Sequence, residues 1–265
     1  MARGVGKYAI RKFVESGDLV RLRQGWLAAP HAHSLVVLAV RAGGYLGCVS
    51  GCQVHGLWVP HPGQVHVMIN PGHPPLQKTG YIVHRSLSRC VSPVASVSEC
   101  LRHAIKEHNA ETALILVESA VNLGKISVAE AEHLLGEARA QRAIRRQLGY
   151  FSATAQSGSE TRVRLFLQLL GEKVVPQAHI PGVGRVDLLV GERLIIECDS
   201  RQYHSSHNDY EKDRERDLAA KNAGYDVIRL SYSQIWLTWE GTQEFLRLYL
   251  GRKTHRKAPQ PQRHR

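Results

Sequence analysis

Residues 195–204 read Ile195-Ile196-Glu197-Cys198-Asp199-Ser200-Arg201-Gln202-Tyr203-His204. An apolar run ends in two acids one residue apart, and a histidine follows five residues after the second. Strand periodicity puts Glu197 and Asp199 on one face and Ile196 and Cys198 on the other. Apolar strands normally carry their residues into a core. One that delivers carboxylates and an imidazole to its end points to chemistry at a sheet edge.

Three neighbouring pieces bear on that reading. Upstream, RVDLLV (185–190) is an apolar strand with Asp187 inside it. An acid between Val186 and Leu188 needs a partner, and a metal ion is an obvious one. Further upstream, Ser157-Gly158-Ser159-Glu160 opens the helical run TRVRLFLQLL (161–170) with capping-box spacing, so capping alone could explain Glu160. Downstream, DYEKDRERD (209–217) reads as a charged helix, followed by Gly224 and the strand YDVIRLSY. Asp213 and Arg216 are one turn apart there and can simply pair. The strands and helices alternate as in an α/β (α+β) domain.

The hairpin between Asp187 and Glu197 has two readings. A two-residue turn at Gly191-Glu192, slightly favoured by Gly-X, sets Asp187 opposite Ile196 and turns Glu197 away. A three-residue loop, 191–193, sets Asp187 opposite Glu197.

The order of these pieces resembles the Vsr-like branch of the PD-(D/E)XK nucleases, which includes very-short-patch-repair and some homing endonucleases. Their pattern, E-D-x-H-D, falls on Glu160, Asp187, Cys198 as the variable position, His204 and Asp213. The stretch from Asp213 through Gly224 to GYDVIRL is similar to the family's "RDR…GW-x-VLR" phrase. The likeness covers roughly residues 157–236. Asp199 stands where the superfamily lysine would be, and Ser200 replaces the usual following glycine. In this branch histidine takes over the proton work.

The resemblance implies a restriction-endonuclease-like domain that hydrolyses DNA phosphodiesters with Mg²⁺, Mn²⁺ being an alternative. Hard carboxylate oxygens suit such an ion. Asp187 is the expected direct ligand and the Cys198 carbonyl the second, with Glu197 its competitor. Glu160 and Asp213 would hold metal-bound waters or orient His204, the candidate general acid or base. Glu197 and Asp199 complete the candidate catalytic set.

Outside this region the chain is basic. The net charge is +12, yet residues 151–250 hold 12 Lys/Arg against 14 Asp/Glu. The excess therefore lies elsewhere, and double-stranded DNA is the natural polyanionic partner, with improved solubility the plain alternative. KYAIRKFVES (7–16) and LVRLR (19–23) read as a basic helix and hairpin, similar to the recognition helix and wing of abortive-infection (AbiEi-type) antitoxins. VSGCQVHGLW (49–58) is similar to a second phrase of those proteins, "SH-x-SAA-x-x-LHGL". The resemblance implies a winged-helix-like module in which Lys7, Arg11, Lys12, Arg21 and Arg23 touch DNA. It also offers another function, a non-catalytic regulator with a degenerate nuclease domain. Arg142, Arg145 and Arg146 could track phosphates or form a solvated helix end, and Arg216 is a further candidate DNA contact.

Four segments are expected: a winged-helix-like and β-rich region (1–92), a helical region (93–150), the nuclease domain (151–250) and a disordered basic tail (251–265). YFSATAQSGS (150–159) reads as the linker. Ser96-x-x-Glu99 and Ser127-x-x-Glu130 are helix openings. Five scattered cysteines fit a reducing cytoplasm. Cys48, Cys52 and His55 make at most a partial zinc set, so the cysteines are expected to pack as small apolar residues. His61, His66, His73 and His84 show no ligand spacing. No apolar run reaches membrane length, and a homodimer is compatible with the sequence.

Overall fold

A computed structural model describes residues 6–60, 63–74, 80–86, 89–138, 144–199 and 207–260, with only the helical backbone given for 207–213. The chain divides into two units, Met1–His108 and Asn109–Arg265.

In the first unit, α1 (Lys7–Glu15) ends before Gly17, whose φ of +82° is left-handed. β1 (Val20–Arg23) and β2 (Trp26–Ala28) pair antiparallel around Gly25, also left-handed at +79°. The basic helix and hairpin expected over 7–28 therefore form. After α2 (Ser34–Arg41) come β3 (Tyr45–Leu46), α3 (Cys48–Val54), β4 (Val65–Ile69), β5 (Tyr81–Arg85) and α4 (Val97–Glu107). β4 is the central strand, antiparallel to β3 and parallel to β5. Ala39, Leu46 and Val67 form the buried centre. Two glycines let α3 approach closely: a Cβ on Gly47 would strike the Met68 side chain, and one on Gly51 would strike Cys100 Sγ.

The second unit begins with α5 (Ala110–Asn122), α6 (Val128–Ala138), α7 (Arg145–Leu148) and α8 (Gly158–Leu169). β6 (Val174–Ile180), β7 (Gly184–Val190) and β8 (Leu194–Cys198) follow as an antiparallel meander. The helix α9 (His207–Asn222) crosses to β9 (Asp226–Leu230), which pairs parallel with β8. α10 (Tyr232–Trp236), α11 (Trp239–Gly251) and a 3₁₀ turn at Thr254–Arg256 complete it. The result is a mixed four-stranded sheet, β6-β7-β8-β9, with α8 against β6 and β7 and α9 against β9. A mixed α/β class is thus what the sequence pattern suggests.

Two boundary expectations are corrected. The linker assigned to 150–159 lies inside the second unit, because α5 is fastened to α8 across it. Arg164 and Glu118, both 1% exposed at the side chain, pair at 2.5 Å. The Ser152 N–H donates to Glu118 Oε1 at 2.8 Å, which ties the segment down. The tail assigned to disorder is ordered through residue 260. His255 is fully buried and meets Glu172 Oε2 at 2.8 Å.

None of the five cysteines forms a disulfide. Among the described residues no helix is long and apolar enough to cross a membrane.

Candidate active site

The β7–β8 connection decides which acids meet. Val190 pairs with Leu194, Leu189 with Ile195 and Leu188 with Ile196, so residues 191–193 form a three-residue loop. The two-residue turn favoured by Gly-X is not adopted. Gly191 sits at φ +64°, its N–H donates to the Lys173 carbonyl at 2.8 Å, and the Glu192 N–H donates to the His255 carbonyl at 2.9 Å. These outside contacts outweigh the local turn preference. Asp187 consequently comes to Glu197.

Beyond Leu188 and Ile196 the main-chain ladder gives way to side-chain bonds. The Asp187 N–H donates to Glu197 Oε2 at 3.3 Å, and Asp187 Oδ2 accepts the Cys198 N–H at 2.8 Å. On the other side, Gln177 breaks the β6 ladder with φ +52°, between the pairs Pro176–Leu188 and Ala178–Val186. Its amide donates to Glu160 Oε2 at 2.7 Å and reaches Asp187 Oδ1 at 3.5 Å. Glu160 lies in the first turn of α8, 4% exposed, where its N–H donates to Ser157 Oγ and its Oε2 accepts the Gln156 N–H, both at 3.1 Å. Capping and membership of the acidic group are both true of Glu160.

Three carboxylates in partial burial repel one another. Burial, reinforced by the Asp187 charge, raises the Glu160 carboxyl above its ordinary range. The same two causes lift Glu197 to about 7, although Arg216 pulls it back. Burial first, and then the surrounding acids, push the Cys198 thiol far up, so that it is no thiolate donor at neutral pH. A cation would reverse the sign of this environment, and the donors are the hard oxygens that Mg²⁺ takes. In that sense the residues fit the ion. They do not close around a single point, however. Among the described residues, the ligand atoms lying within 4.8 Å of one another are those of Cys48, His66 and His84 in the first unit.

The other candidates divide as follows. Asp199 is half exposed, 4.0 Å from Arg229. Arg216 clamps the protein's own backbone, donating to the Arg185 carbonyl at 2.5 Å and the Val183 carbonyl at 3.3 Å, with Glu197 at 3.5 Å. Arg23 likewise donates to the Gly43 carbonyl at 2.9 Å and lies over the Trp26 ring. Lys7, Arg11, Lys12 and Arg21 are exposed, with Arg11 paired to Glu15 at 2.7 Å, and Arg145 and Arg146 are exposed on α7. His204, Arg142 and the Asp213 side chain lie outside the described residues. The Cys48, Cys52, His55 grouping does not form, since His55 Nε2 meets the Ala95 carbonyl at 2.7 Å. Gln177 went unread in the sequence, where nothing marks a glutamine after a strand proline as an acid partner. No family model and no curated protein matches the chain.

Proposed function

We propose that the second unit is a Mg²⁺-dependent DNA endonuclease or nickase, with basic surfaces of the chain holding the duplex. The observation that carries this reading is the partly buried Glu160–Asp187–Glu197 group beside the C-terminal end of β8, with two of its carboxyls raised by burial and mutual repulsion. Asp187 and the Cys198 carbonyl are the proposed ligands, with Glu197 beside them. Bound Mg²⁺ supplies positive charge against the charge that develops on the phosphorane-like transition state. Glu160 and Gln177 hold Asp187 in place, and His204 is proposed to move the proton of the attacking water or of the leaving oxygen.

Supercoiled plasmid is the direct test. Wild type with Mg²⁺ is expected to yield open circles, chelation to stop the reaction, and Asp187→Ala to slow it by at least about 100-fold. Cleavage unaltered in Asp187→Ala sinks the site assignment. Absence of cutting on supercoiled, mismatched and single-stranded DNA sinks the nuclease reading.

One observation favours a second reading, a non-catalytic DNA-binding regulator of the AbiEi-antitoxin type. The Gln177 amide already bridges Glu160 and Asp187, satisfying both acids without an ion. A sequence-specific footprint upstream of its own gene, with no Mg²⁺ or Mn²⁺ binding by calorimetry, would select it.

A further inference from the structure

Four side chains from four places in the first unit come near one another. Cys48 opens α3, His66 lies in β4, His84 in β5, and His108 caps the C-terminus of α4. One ligand atom each from Cys48, His66 and His84 lies within 4.8 Å of the other two, a limit that His108, next to Cys48, does not meet for all three. Cys48 Sγ stands 3.6 Å from His108 Nε2, and His66 Nδ1 stands 2.7 Å from His84 Nε2. The His66 and His108 ring centroids are 5.2 Å apart. Cys48 and His66 are buried, at 0% and 5% exposure, and His108 is half-buried.

We propose that Cys48, His66, His84 and His108 are the ligands of a structural zinc ion that ties α3, the β4–β5 pair and the end of α4 together. With Zn–S of about 2.3 Å and Zn–N of about 2.0–2.1 Å, tetrahedral zinc separates its sulfur and nitrogen donors by about 3.6 Å and two nitrogens by about 3.3 Å. The Cys48–His108 separation already has that value. The His66–His84 contact is a hydrogen bond that opens by about 0.6 Å when the shared proton gives way to the ion. Four protein ligands leave no open position, which is the structural type of site. Thiolate and imidazole select zinc over Mg²⁺, so this site and the carboxylates of the second unit differ in the metal they take.

The surroundings fit the assignment. Behind His84, Glu107 Oε2 lies 3.9 Å from Nδ1, within ion-pair range but beyond a hydrogen bond. Burial lowers the pKa values of His66, His84 and His108 and raises the Cys48 thiol to about 12, so the thiol proton leaves only as the ion binds. Cys48 holds φ +51°, which is uncommon for a non-glycine residue, and its side chain is fully buried. His66 is anchored through its own N–H, which donates to Ser50 Oγ of α3 at 2.9 Å.

Elemental analysis and cobalt substitution test the proposal on the full chain. The purified wild type is expected to hold about one zinc per chain. After chelation, Co²⁺ is expected to give the intense d–d bands of a tetrahedral site and a thiolate-to-cobalt charge-transfer band. Cys48→Ser should remove the charge-transfer band, a His66→Ala/His84→Ala double variant should remove both features, and Cys100→Ser should change neither. Folded wild type holding less than about 0.1 zinc per chain, with no cobalt bands, overturns the proposal and leaves a hydrogen-bonded histidine cluster. Metal retained equally by Cys48→Ser and the double histidine variant overturns it as well. Should those variants fail to fold, the wild-type stoichiometry and spectrum decide alone.

Discussion

Arg164 is enclosed to 1% exposure, and its guanidinium is answered by Glu118 at 2.5 Å, Gln168 Oε1 at 3.0 Å and the Tyr150 carbonyl. Glu118 also accepts from Thr161 Oγ1 at 2.6 Å. Burial raises the Glu118 carboxyl, and Arg164 opposes that rise. Removing one partner strands a charge in the core, so Glu118→Ala is expected to cost about 3–5 kcal/mol. The Glu118→Leu/Arg164→Met double variant should cost clearly less. Urea denaturation of both measures the difference, and equal losses would show that the pair matters only as packing volume. Nothing in the sequence joins Glu118 to Arg164, because they lie 46 positions apart with a polar stretch between them. Glu160 was easier to find. Its helix-opening serine and the apolar run after it are local, and Ser157 Oγ does accept the Glu160 N–H.

Elements whose ends are set by neighbouring residues read well. Ser96 and Ser127 accept the N–H groups of Glu99 and Glu130 at 3.2 and 3.1 Å, as their spacing implies. Elements set from elsewhere in the chain did not. The 191–193 loop is held by Lys173 and His255, and the segment after α11 looked disordered because it lacks apolar residues. A polar clamp orders it instead, with His255 and Arg256 each 2.8 Å from a different oxygen of Glu172. Burial alone would raise the Glu172 carboxyl, but hydrogen bonds from Arg256 and His255 outweigh it and leave the pKa lowered. A lowered carboxylate stabilises the fold above its unfolded value and loses that contribution as pH falls through the folded one. Thermal melts of wild type and Glu172→Gln should therefore differ most above the ordinary value of 4.5 and converge in acid. A difference that persists unchanged at low pH would remove the ion pair from the explanation.

At the scale of the molecule, charge asymmetry is plain in the sequence and the division of the chain is not. Residues 1–108 carry 12 Lys/Arg and 4 Asp/Glu, whereas residues 109–265 carry 23 and 19. DNA affinity measured by anisotropy is expected to fall steeply with salt, and Lys12→Glu and Arg21→Glu should weaken binding across all sequences while flattening that dependence. Arg23→Ala should instead lower the melting temperature, because its guanidinium holds the Gly43 carbonyl. Salt-independent binding would exclude the phosphate backbone as the main contact. The Cys48–His108 convergence escaped sequence reading for a reason of the same kind. Its members are 18, 18 and 24 positions apart on separate elements, so only the packing of α3 and α4 against the β4–β5 pair assembles them. The closing segment of the second unit has a practical use. It crosses the Gly191 turn with the His255 carbonyl and the Gly224 turn with the backbone of Gln260. β8 then runs about 13 Å from Leu194 to Cys198, so the carboxylates sit by the far end of that strand. A dye attached at Lys257, an exposed residue of this segment, should leave that far end open, which suits single-molecule work.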